Sequence, residues 1–211
     1  MTTFRAMALA TILAFLPLNR GLVAFDDDDV KNGIDGEGYI SSWLVLAPIP
    51  LEEGVEGASA IAKEQIKDEA SLKPKAGEKV ELGGKEYAWK AAKADDGELD
   101  FNEFLGQETE NSVAYAVTTL VLGEEKTDVT LKLGSDDQVR VYLNGKQIHS
   151  NDEARPLEKD EDSVEGLTLK KGRNVLVVKV VNEGSDWATS VRFVDKDGAP
   201  IKGISATIEP E

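Results

Sequence analysis

The sequence predicts an all-β protein, an antiparallel β-sandwich of the jelly-roll kind with one short helix. Three observations predict it. Seven or more short runs have the length and alternation of strands. Turn signals separate them at short spacing. Only the stretch 57–70 has apolar residues at helical spacing. A chain of 211 residues with no fixed-period repeat reads as one domain plus extras, and the absence of cysteine leaves the core to stabilise it without disulfides.

The elements follow in order. Residues 1–24 read as a signal peptide: Arg5 precedes the apolar run "AMALATILAFLPL", too short to span a bilayer, and Ala24 is a small residue suited to cleavage. Residues 25–38, "FDDDDVKNGIDGEG", are an acidic, glycine-bearing lead-in. The sandwich is expected over 39–209. "YISSWLVLAPIP" is its first strand, stopped by Pro48 and Pro50. "GASAIAKEQIKDEA" (57–70) is the amphipathic helix. "KPKAGEKVELGGKEYAWKAAKA" (73–94) places a Gly-Gly turn between short strands, with Tyr87 and Trp89 on one face.

"SVAYAVTTLVL" and "TDVTLKLGSDD" are the next strands. "QVRVYLNGKQI" alternates Val139, Val141 and Leu143 inward with Arg140 and Tyr142 outward, and Asn144-Gly145 is a two-residue hairpin turn that needs positive φ at both positions. "GLTLKKGRNVLVVKVVNEG" (166–184) holds two strands. The second, "NVLVVKVVN", is almost continuously apolar, as a strand packed on both faces is. Two final strands flank Asp197-Gly198.

The net charge of −16 argues against nucleic-acid partners and anionic membrane surfaces. With 40 acidic residues, adjacent acids alone are weak evidence for acid/base catalysis. The single histidine, His149, lies in the polar run "QIHSNDE" with no nucleophile motif elsewhere, so it reads as a dispensable surface residue. "AKADDGELDFNEF" (92–104) imitates part of an EF-hand loop, but Ala92 and Ala94 occupy two ligand positions, so the motif is rejected.

At "VYLNGKQI" and "LTLKKGRNVLVVKVVN" the chain resembles the galactose-binding-like jelly-roll domains beside the catalytic barrels of family 2 glycoside hydrolases. Over 39–209 it is similar to the secreted domains of that kind in planctomycete-type bacteria. "GSDDQVRVYLNGK" also resembles the acidic strand-turn of PA14 lectin domains. The resemblance implies a non-catalytic carbohydrate- or surface-binding accessory module, secreted or periplasmic, with no membrane or nucleic-acid contact when mature. An alternative is a structural protein–protein interaction domain of the bacterial envelope; a third is a component of a polysaccharide-active enzyme. No catalytic residue is assigned. The candidate ligand residues are Asp136, Asp137, Arg140, Tyr142 and Trp187, the last two as stacking platforms if exposed, with burial in the core the preferred reading of each. The PA14 resemblance makes Asp136 and Asp137 possible calcium ligands. The preferred reading is that this pair frames the Asn144-Gly145 hairpin, with little response to calcium.

Overall fold

The computed structural model describes residues 33–209. The expected signal peptide and the Asp26–Asp29 run lie outside these residues. Two antiparallel sheets and a small hairpin account for the strands. The larger sheet contains β1 (Ser42–Pro50), β4 (Lys90–Lys93), β6 (Ser112–Leu122), β8 (Val139–Leu143), β9 (Lys146–Asn151), β11 (Gly172–Asn182) and β13 (Ile204–Thr207). Its order is β4-β1-β6-β11-β8-β9, with β13 beside β6. The smaller sheet runs β10 (Asp162–Leu169), β7 (Lys126–Asp136), β12 (Ala188–Val194), β5 (Leu99–Asp100). From β5 onward the chain changes sheet at every connection except β8–β9. This repeated crossing between layers makes the architecture a sandwich rather than a meander.

The alternation read in the sequence is kept. Val139, Val141 and Leu143 of β8 face the smaller sheet, together with Trp43, Val178 and Val180, and meet Leu131 and Phe193 from that sheet. The Asn144-Gly145 turn joins β8 to β9, with φ of 53° and 80° at its two residues. Asn144 and Asn174 lock it: the Asn144 amide donates to Asn174 Oδ1 at 2.9 Å, and Val175 N donates to Asn144 Oδ1 at 3.0 Å.

The expectation needs correction on the outer face of the larger sheet. Most of that face does not meet solvent. The segment between β1 and β4 folds over it as a third layer and builds a second core from Leu46, Ile61, Trp89, Tyr115, Val177 and Val181. This segment holds α1 (Gly57–Ala62), a 3-10 turn at Glu69–Ser71, and the β2–β3 hairpin (Lys79–Leu82, Lys85–Ala88). The helix expected over 57–70 therefore stops at Ala62. Its last carbonyls are taken from outside: Lys179 Nζ on β11 binds the carbonyl oxygens of Ile61 and Lys63. Beyond that point Glu69 is drawn onto the sheet instead of continuing the helical face.

A second helix, α2 (Phe101–Leu105), was not expected. Asp100 caps it by accepting from Glu103 N at 2.9 Å, and Gly106 ends it in the left-handed conformation. The run 92–104, rejected as a calcium loop, is the end of β4, a turn, β5 and the start of this helix with its cap. The final strands also divide. The Asp197-Gly198 turn forms, but β13 pairs with β6 rather than with β12.

Candidate functional site

Asp136 ends β7 and Asp137 follows it, joined by a cis peptide bond. Their neighbour β8 lies in the other sheet, so the pair does not frame the Asn144-Gly145 hairpin. It forms the corner where the chain crosses between sheets, at the opposite end of β8 from that turn. Backbone bonds fix the corner to the central strand: Asp137 N donates to Val181 O at 3.0 Å, and Val181 N to Gln138 O at 2.9 Å.

Both side chains are buried, at 8% and 9% exposure. Each is held by main-chain amides. Asp137 Oδ2 accepts from Glu183 N at 2.9 Å and the same carboxylate accepts from Arg155 N; the Asp136 carboxylate accepts from Leu157 N. Among the described residues, neither forms an ion pair with a lysine, arginine or histidine. Burial, reinforced by the charges of Asp137 and Asp186, pushes the Asp136 carboxyl up to about 6. Burial raises Asp137 as well, although the amide of Glu183 opposes it. No group of three or more acidic or histidine side chains among the described residues is placed to hold a metal ion.

The loop between β9 and β10, residues 152–161, closes over this corner. Its arginine, Arg155, donates to Asp162 Oδ1 at 3.1 Å and to Ser135 Oγ at 3.0 Å, while Ser135 Oγ donates to the Asp137 carbonyl at 2.8 Å. Gly134 leaves room for the loop: a Cβ there would meet the Glu158 carbonyl oxygen at 2.2 Å. His149 joins the same network and is not a bare surface residue. It lies on β9 with Nε2 3.0 Å from Asp162 Oδ2, tying the edge strands of the two sheets together. Burial raises Asp162, but Arg155 and His149 more than reverse this and hold its carboxyl below the usual value.

The other candidates lie elsewhere. Trp187 is 1% exposed and packs on Phe101 of α2, ring centroids 5.0 Å apart, so it belongs to the core and offers no stacking face. Tyr142 is buried beneath the third layer, where its hydroxyl donates to Glu69 Oε1 at 2.5 Å. Arg140 also points to that layer, and its guanidinium donates to the Ala62 carbonyl at 3.2 Å. Trp43 and Trp89 are buried too, so all three tryptophans serve packing. Arg140 and Tyr142 also meet, but beneath the third layer, which leaves Asp136 and Asp137 as the candidate site.

Sequence reasoning missed the Glu69 cluster. This carboxylate is fully enclosed by Lys179 Nζ at 3.3 Å, the hydroxyls of Tyr115 and Tyr142, and Gln65 N. A signal was present: a lysine inside the apolar run "NVLVVKVVN" needs a buried partner.

No family model matches the chain, and no curated protein matches it. Among solved structures it is similar to a family 35 carbohydrate-binding module from an environmental isolate. The identity is 22%, over 49% of this chain and 78% of that one, with a TM-score of 0.36. It is also similar to the PA14 domain of the antifreeze protein MpAFP, at 15% identity over 79% and 92% of the two chains, TM-score 0.46. The PA14 sugar-binding domain of an RTX adhesin is 12% identical over 79% and 96%, TM-score 0.40.

Proposed function

We propose that this chain is a non-catalytic binding module for carbohydrate, working outside the cytoplasm and gripping its ligand at the Asp136–Asp137 corner. One observation carries the reading: two adjacent buried carboxylates have no cationic partner among the described residues, and their affinity for protons is raised. Carboxylates in this state accept strongly from hydroxyl groups, and a pair of them matches the paired hydroxyls of a sugar ring. The galactose-binding-like and PA14-type resemblance of the surrounding sequence supplies the ligand class.

Calcium, which the PA14 resemblance implies, fits the donor chemistry of the corner. Asp136 and Asp137 would hold it with hard oxygen atoms and no competing cation among the described residues. When bound, such an ion supplies open coordination positions for sugar hydroxyls. The protein's own part is to keep the acids fixed through the amides of Arg155, Leu157 and Glu183, and to exclude water by burial.

A glycan array probed with and without calcium, followed by calorimetry on the best ligand, tests the reading. Binding that disappears in Asp137→Asn supports it. A wild-type protein that binds no glycan under either condition, or binds one unchanged in Asp137→Asn, sinks it.

A further inference from the structure

The outer face of the larger sheet is not covered to its end. Where the third layer stops, two cavities of about 190 and 210 Å³ adjoin, sharing Lys73, Arg173 and Val175 in their walls. The floor of the first is aliphatic: Leu44, Val117, Val175 and Ile208. Its rim carries Lys73, Lys75 and Arg173, and among the described residues Glu209 is the one carboxylate in the lining. Arg173 is oriented there by donating to the Glu209 carbonyl. Lys73 and Lys75 are exposed, and neither forms an ion pair among the described residues. In a chain of net charge −16, this is a local reversal of sign around an apolar hollow.

We propose that this groove is a docking site for an acidic peptide segment that inserts one aliphatic side chain between flanking carboxylates. Charge complementarity selects the acidic flanks. The floor selects the anchor: among the described residues it is aliphatic with no aromatic ring on which a sugar could stack, and about 190 Å³ suits one branched side chain. The protein's overall charge repels an acidic partner at long range. At physiological salt that field is screened beyond about 8 Å, so the local lysines, Lys73 and Lys75, decide the contact. The groove lies on the outer face of the sheet, apart from the Asp136–Asp137 corner, and its occupancy does not depend on that site.

The test is fluorescence anisotropy at near-physiological salt with a labelled peptide Asp-Asp-Leu-Asp-Asp. Two control ligands accompany it: Asp-Asp-Ser-Asp-Asp, and an acidic oligosaccharide of matched charge. The expected result is saturable binding of the leucine peptide only. The double charge reversal Lys73→Glu/Lys75→Glu should weaken it at least about tenfold, while its melting temperature stays that of wild type, because both side chains are exposed. Asp137→Asn should bind the peptide as wild type does, which separates this groove from the corner. Absence of saturable binding in the wild type, unchanged affinity in the double variant, or equal binding of the serine peptide or the oligosaccharide each overturns the proposal.

Discussion

Glu69 and the Asp136–Asp137 pair are both buried acids within one small sandwich, and they are treated in opposite ways. Glu69 is surrounded by an ammonium group, two phenol hydroxyls and a main-chain amide, so both its oxygens are engaged and its charge is paired. The aspartates receive only main-chain amides and no counter-charge among the described residues. A closed network of this kind fixes a structure; a half-closed one leaves chemistry for a ligand. The difference is also topological. Glu69 pins one layer to another, whereas the aspartates sit where the chain leaves one sheet for the next.

The largest effect should come from breaking the closed network. Glu69→Ala leaves the Lys179 ammonium buried without its carboxylate, and should cost about 3–5 kcal/mol in chemical denaturation. Adding Lys179→Met should recover much of that loss. A double variant no more stable than the single one would show that the layers are held by packing alone.

At the open network the sign reverses. The Asp136 carboxyl is raised to about 6 in the folded protein, above its unfolded value, so its contribution declines as pH rises from about 4 through about 6 and stays low above. Asp136→Asn keeps an oxygen for the Leu157 amide and removes the charge. It should stabilise the protein by about 1–2 kcal/mol at pH 7.5, discounted for solvent screening, and by almost nothing at pH 4. Urea melts at the two pH values decide this. Equal effects at both would mean the acids are already compensated.

Calcium should act on the same deficit. At ten times its dissociation constant it would add about 1.4 kcal/mol, or roughly 3–6 °C in melting temperature. The rise should shrink at pH 5, where protons compete, and vanish in Asp137→Asn. A small or absent rise would instead favour a purely structural role for the pair. The smallest change is His149→Ala, which removes one partly exposed link between edge strands and should cost about 0.5–1 kcal/mol.

What could be read in the sequence followed periodicity. The strands, the Asn144-Gly145 hairpin and the doubly buried β11 were visible because each is local and alternates or fails to alternate in a characteristic way. The third layer was not visible, and two candidates failed for that reason. Tyr142 does point away from the inner core, but outward here means toward Glu69 rather than solvent. Trp187 sits at a strand start, yet α2 closes that end of the sandwich with Phe101. The cap and stop of α2, Asp100 with Glu103 and then Gly106, stand in the sequence, but Asp100 and Glu103 also fit calcium-loop positions, which masks the cap. The position of the aspartates was beyond local reading, since nothing in "GSDDQVRV" states that the strands on either side join different sheets.

Lys179 grips two main-chain carbonyl oxygens as well as one carboxylate. A carbonyl is the same group whichever amino acid carries it. Position 63, whose side chain is about half exposed, is therefore free to drift without loosening the hold, while positions 69 and 179 are bound to each other. Related chains should accordingly keep the lysine and the acid as a pair, or lose both together, beneath a covering layer whose surface residues diverge. Such an anchor lets one scaffold change its outer coat without redesigning how the coat is attached.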